Sequence, residues 1–262
     1  MAIWNKLTQS LRSNNDDLFE VVLVGDKDGN IINSSGAASN IPIASGDVSG
    51  YSHINKFGYS DDISSLGTIW DGSNIYTYSS SAGAVTATSS SSDDDGAVIE
   101  IQGLDANYNL VTYDLTLGST GANLLRIFRA RLKTPATGET SNVGIISINI
   151  AGSLRAKILA GNGQTLMAVY TIPAGKTGYL LNITLSVDKN VDVIYKLISI
   201  PHIDGRVQNI KGQFGTFGTP IDHNYPVPLK FTEKTDIEIQ ADAGNTCGGG
   251  ATFDLILVDN PS

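Results

Sequence analysis

The run Leu181-Asn182-Ile183-Thr184-Leu185-Ser186-Val187 alternates apolar and polar side chains, then meets the turn formers Asp188-Lys189-Asn190. Successive side chains of a strand face opposite ways, so this run reads as a strand with one dry face and one wet face. The same period recurs on both sides. Val111, Tyr113, Leu115 and Leu117 alternate with Thr112, Asp114 and Thr116; Ile146, Ile148 and Ile150 alternate with Ser147 and Asn149. Ile237, Ile239 and Ala241 follow, and Phe253, Leu255 and Leu257 close the series. Parallel strands, covered on both faces, read as continuous apolar runs, so this alternation predicts antiparallel sheets. Val191 to Ile200 is apolar on both faces and reads as a central strand or one lying under a partner.

Between the strands stand Asp105-Ala106-Asn107, Gly118-Ser119-Thr120-Gly121, Gly161-Asn162-Gly163 and Pro173-Ala174-Gly175-Lys176. That spacing of turn formers fits an all-β, antiparallel β-sandwich of jelly-roll-like type over residues 66–262. Residues 1–65 read as an attachment region. Ile3, Trp4, Leu7 and Leu11 recur at helical spacing and predict a short amphipathic helix ending near Ser13-Asn14-Asn15. So short a helix needs something to dock on, which makes Trp4, Leu7 and Leu11 the candidate partner-binding residues. Leu18 to Val24, the turn Gly25 to Asn30 and Ile31-Ile32 predict a hairpin. Asn33 to Ser65, rich in Ser, Gly and Asn, reads as an extended arm that orders against neighbouring subunits. Ser79 to Asp95 reads as a mobile exposed loop, with Val85 at most a weak strand.

Composition narrows the function. The chain has 262 residues, a charged fraction of 16% and a net charge of −9. Nucleic-acid binding needs a basic face that displaces counterions, and no basic run exists. No apolar stretch reaches the ~20 residues of a membrane helix, and Met1 to Leu7 lacks the pattern of a secretory signal, so a soluble protein made in the cytoplasm is expected. The single cysteine, Cys247, lies in the glycine-rich run Gly244 to Gly250 and reads as a loop thiol.

Chemistry is sparse. His53, His202 and His223 have no ligand-type neighbour at metal spacing, and there is no nucleophile elbow, phosphate loop or dinucleotide fingerprint. Asp26-Lys27-Asp28-Gly29-Asn30 resembles half a calcium loop but lacks the distal glutamate. Asp93-Asp94-Asp95 reads as a solvated acidic loop. Trp70, Tyr76 and Tyr78 cluster, and an exposed stack of them could grip a sugar ring, but ordinary packing under a sandwich edge is the favoured reading. No catalytic, metal or cofactor residue is expected, and no enzymatic activity.

Four segments carry a resemblance. Ile69-Trp70-Asp71-Gly72, Ile101 to Asn109, Leu125-Arg126-Ile127-Phe128-Arg129-Ala130 and Gly161 to Leu180 look like parts of structural proteins encoded by marine tailed bacteriophages. The resemblance spans roughly residues 66–200. It implies a non-enzymatic β-sandwich component of the virion. The expected role is a capsid decoration or cement protein, assembled as a homo-oligomer, read as a trimer, on the major capsid protein or other virion subunits. A tail, neck or fibre-base subunit and a host-glycan-binding module are the alternatives.

Overall fold

The computed structural model describes residues 8–12, 18–22, 24–25, 31–32, 41–72, 74–202 and 205–261. The chain divides into two compact units, Met1–Ser52 and His53–Ser262.

In the first unit, β1 (Thr8–Arg12) pairs antiparallel with β2 (Leu18–Val22), and β3 (Val24–Gly25) pairs with β4 (Ile31–Ile32). The expected hairpin around residues 25–30 is therefore present, but Leu18–Val22 turns back to pair with the segment before it. The helix expected across residues 3–13 is absent from its second half: Leu11 lies in β1, opposite Phe19. Thr8 and Ser10 are poor helix-interior residues, and pairing with a β-branched strand wins over a marginal helix. Trp4 and Leu7 fall outside the described residues, as does Asp26 to Asn30. Among the described residues of this region the one α-helix is the short α1 (Ile41–Ser45).

The second unit opens within β5 (Tyr51–Ser60), followed by the two-residue β6 (Gly67–Thr68). Seven strands come next: β7 (Gly83–Ser89), β8 (Val98–Leu104), β9 (Leu110–Thr116), β10 (Thr120–Leu124), β11 (Arg126–Thr134), β12 (Ile146–Ile150) and β13 (Ser153–Ile158). Then run β14 (Val169–Thr171), β15 (Lys176–Val187), β16 (Asp192–Ile200) and β17 (Asn209–Phe217). The last are β18 (Ile221–Phe231), β19 (Asp236–Asp242) and β20 (Gly249–Asp259).

One sheet has the order β18-β15-β20-β5 and another β14-β19-β16-β17. Set aside the seven strands β7–β13. Leaving out also the two-residue β6, the remaining eight strands, in chain order, place the first, eighth, third and sixth in one sheet. The second, seventh, fourth and fifth form the other. That is the jelly-roll order, two Greek keys folded face to face. Leu180, Ile183, Leu185, Tyr195, Leu197, Phe253, Leu255 and Leu257 fill the space between the sheets. The alternation read from Leu181 to Val187 holds from Ile183 onward. A bulge between Leu180 and Asn182 turns both Leu181 and Asn182 outward and leaves Leu180 inside.

The seven strands set aside form a sandwich of their own, β10-β7-β12-β13 packed on β11-β8-β9. Val85, Ala87, Ile99, Ile101, Ile146 and Ile148 make its core. The second unit thus holds two sandwiches, the smaller inserted between the first and second strands of the jelly roll. The Ser79 to Asp95 tract is not an exposed loop: it contains β7, which pairs on both edges. Val85 and Ala87 face the core while Thr86 and Thr88 face out, so a real alternation was hidden by small residues.

The expected arm is likewise partly sheet. β5 points Ile54, Lys56, Gly58 and Ser60 inward, and only one of these is apolar, so no hydrophobic period marks the strand. Gly58 is required by close approach: a Cβ there would lie 2.4 Å from both Ala168 N and Ile69 O. The chain leaves and re-enters the jelly roll through a neck. Ala168 N donates to Ile69 O at 2.9 Å, Asp71 N donates to Leu166 O at 3.0 Å, and Trp70 bridges Met167.

Candidate functional site: a buried clamp between the sandwiches

β19 is buried along both faces from Asp236 to Ala241. Ile237, Ile239 and Ala241 point into the jelly-roll core. Asp236, Glu238 and Gln240 alternate with them and lie beneath the inserted sandwich and its linker. A buried carboxylate is costly unless its lone pairs are filled, so its partners define the site.

Arg126, the first residue of β11, supplies them from the inserted sandwich. Its Nε donates to Asp236 Oδ1 at 2.8 Å and its Nη2 to Asp236 Oδ2 at 2.9 Å, with both side chains out of water. Its Nη1 donates to Ser79 O at 2.7 Å and to Leu125 O at 3.0 Å. Thr171 Oγ1 donates to Asp236 Oδ1 at 2.6 Å, and Arg206 Nη2 donates to Oδ2 at 2.6 Å. This two-point fork fixes angle as well as distance. Burial works to lower the Arg126 pKa, but the hydrogen bonds and charge of Asp236 outweigh it and hold the guanidinium above its ordinary value.

Aromatic rings close the clamp. The Arg126 guanidinium lies 5.1 Å from the Tyr78 ring centre and 5.7 Å from that of Tyr108. Tyr108 sits on the β8–β9 turn and is tied to the jelly roll by Ala174 N donating to its carbonyl at 3.0 Å. His202 Nδ1 lies 3.3 Å from its hydroxyl, and Lys234 Nζ lies 5.8 Å from its ring centre. Tyr108, Arg206 and Lys234 are all left-handed, with φ of 64°, 62° and 61°. Left-handed backbone costs a non-glycine residue about 1–2 kcal/mol, so their convergence shows how strongly the surroundings dictate this junction.

Trp70, Tyr76 and Tyr78 are packed here rather than displayed. Trp70 is 5% exposed and Tyr76 4%, and they meet edge to face at 4.9 Å. Tyr76 Oη lies 3.2 Å from Ile127 O and 3.0 Å from Arg155 O. Tyr78 is half-buried and meets Tyr76 edge to face at 5.0 Å, so the three rings pack on one another beneath the sandwich edge.

Three further titratable groups are buried near the same seam. Glu238 accepts from Gln240 Nε2 at 2.6 Å and Thr68 Oγ1 at 3.2 Å, but has no cationic partner in hydrogen-bond contact among the described residues. Burial pushes its pKa up to about 7. Asp71, on the neck, accepts from Leu166 N at 2.6 Å and is also raised by burial to about 7. Lys56 donates to Phe128 O across the two sandwiches; burial, aided by the charge of Arg129, lowers it to about 7.

The other candidates are scattered. His53 pairs with Asp254 at 2.9 Å on an outer face, and His223 meets Phe214 at a tilt and Tyr225 edge to face. Asp94 is not a solvated loop acid. It accepts from Ser89 Oγ at 2.5 Å, Val143 N at 2.7 Å and Gly144 N at 2.8 Å. Burial acts to raise its pKa, but these three hydrogen bonds outweigh it and hold the carboxyl below its ordinary value. Cys247 lies in the loop between β19 and β20 with its side chain buried, and burial raises its pKa. Among the described residues no three metal-ligating side chains converge, and no helix is long and apolar enough to cross a membrane.

Arg126 and Asp236 were not singled out by sequence. Asp236, Glu238 and Gln240 read as the wet face of a strand, and only the second sandwich turns that face into an interior.

No family model matches the chain, and no curated protein matches it. Among solved structures it is similar to a mutant VP2 protein of infectious bursal disease virus in derived T=1 particles. The identity is 12%, over 81% of this chain and 72% of that one, with a TM-score of 0.17. So low a TM-score assigns neither fold nor role to this chain.

Proposed function

We propose that this chain is a non-enzymatic structural protein of a virus particle, a decoration or cement subunit that stabilises a phage head. The observation that carries the reading is the clamp. A jelly roll carries a second sandwich, and the joint between them is a buried, fully hydrogen-bonded ion cluster. Such a joint is suited to holding two bodies at one angle under load, since the fork of Arg126 on Asp236 fixes angle as well as distance. The phage resemblance of residues 66–200 supports the same reading.

The outer face of the β16–β17 half of the jelly roll supports assembly. Ile194, Ile210 and Phe217 are 44%, 56% and 60% exposed beside the half that the inserted sandwich covers. In the proposed homo-oligomer, read as a trimer, this half is covered by a second copy. Trp4, Leu7 and Leu11 are assigned to attachment on the major capsid protein. Particles lacking the chain, imaged by electron microscopy, are expected to lose density over the head surface. Loss confined to the tail or neck overturns the placement. Light scattering of the purified chain is expected to give an oligomer that Phe217→Glu dissociates.

A further inference from the structure

Asn162-Gly163 is the one Asn-Gly pair in the chain. In such a pair the backbone nitrogen of the glycine can attack the asparagine side chain, because no Cβ hinders its approach. Asn162 is exposed at a turn, where this chemistry has ample room. The glycine nitrogen, however, is occupied. Gly163 N donates to Asn142 Oδ1 at 3.0 Å. Asn142 is itself buried, and its amide is held in one orientation by donating from Nδ2 to Gly144 O at 2.7 Å and to Leu159 O at 2.9 Å. Its own carbonyl accepts from Gly161 N at 2.8 Å, so Asn142 grips the turn on both sides of Asn162.

We infer that Asn162 is a latent deamidation site guarded by Asn142. In the reaction the Gly163 nitrogen gives up its proton and bonds to Asn162 Cγ. The Cγ–N bond of the side chain breaks, and ammonia leaves with the proton. Water then opens the five-membered imide at either carbonyl, giving aspartate or isoaspartate. An N–H held on Asn142 Oδ1 keeps its proton, and its nitrogen is fixed in direction, so the first step is blocked. Opening of the turn releases it. The consequence is structural. Gly163 O accepts from Leu132 N at 2.6 Å, and Thr165 N donates to Ala130 O at 2.9 Å, so this segment is laced to β11. Isoaspartate adds a methylene to the backbone there and a negative charge, and loosens that lacing.

The test is peptide mapping by mass spectrometry after incubation of the full chain at mildly alkaline pH. Native and urea-unfolded wild type are followed beside folded Asn142→Ala and Asn142→Asp. Native Asn162 is expected to convert more slowly than in the unfolded chain. Asn142→Ala is expected to convert about fivefold faster than native wild type; at 1.36 kcal/mol per decade that equals ~1 kcal/mol, the ordinary worth of one hydrogen bond. Asn142→Asp keeps the acceptor oxygen but loses both donations, so it is expected to stay near wild type. Equal rates in native and unfolded wild type overturn the inference, as does Asn142→Asp converting as fast as Asn142→Ala. Should Asn142→Ala fail to fold, the remaining comparisons still decide.

Discussion

Asp236 and Glu238 lie two positions apart on one strand, face the same inserted sandwich and are equally shut away from water, yet only Asp236 is met by guanidinium groups. The difference divides the labour at the seam. Asp236 is an anchor whose charge is answered twice; Glu238 is an acid whose pKa burial raises, held by an amide and two hydroxyls.

Removing one half of the anchor leaves the other buried and unanswered. Asp236→Asn and Arg126→Met are each expected to destabilise the chain by about 3–5 kcal/mol, the usual cost of orphaning a buried ion. The double variant Arg126→Met/Asp236→Asn is expected to lose much less than the two single changes combined. Urea denaturation of the four proteins measures the coupling. Strict additivity would show that the fork contributes nothing as a pair.

Glu238 makes stability depend on pH. The unfolded chain releases this proton near the ordinary value of 4.5, while the folded chain keeps it to about 7. Stability therefore falls as pH rises through that window and is level above it. Asp71 acts with the same sign, from 3.8 to about 7. Glu238→Gln is expected to flatten part of this slope, with a gain on the order of 1–3 kcal/mol above neutrality and little change at about pH 4. Urea midpoints across the range read it directly; an unchanged slope would sink the assignment.

Lys56 has the opposite sign. Its folded pKa of about 7 lies below the ordinary 10.5, so stability climbs as pH rises between those values. Lys56→Met keeps the length and apolar stem of the side chain and removes a poorly answered amine. It is expected to stabilise the chain by about 1–3 kcal/mol at neutral pH, with the gain vanishing in strong alkali. Melting temperatures at neutral and high pH test it. A loss at both would mean that the bond to Phe128 O outweighs the burial.

Asp94 ties the β7–β8 turn to the segment before β12. Asp94→Ala removes an acceptor shared by Ser89, Val143 and Gly144 and is expected to cost about 2–3 kcal/mol, in line with hydrogen bonds to a charged group. The neighbouring exposed Asp93→Ala is the control and is expected to change stability little. Both are read by thermal melting.

The alternation around Leu185, Ile148 and Phe253 marked the strands and their antiparallel pairing before any coordinate. What stayed hidden follows from the same rule. A period of two says that one face is dry, and it cannot say that the other is covered by a second layer, as at Asp236, Glu238 and Gln240. Strands whose inward residues are Lys56, Gly58 and Ser60, or Val85 and Ala87 among serines, give too little contrast to register. The insertion itself is a long-range fact of strand order. It depends on β5 pairing with β20 some two hundred residues on, and no local pattern records that.

The neck at Ile69 to Asp71 and Leu166 to Ala168 brings the outgoing and returning chain side by side. A graft could therefore be made there. Cutting between those paired segments and joining them with a few glycines would yield a smaller barrel-like body whose newly wetted surface is carboxylate and amide. The appended module could then be exchanged for a foreign one without rebuilding the platform that bears it.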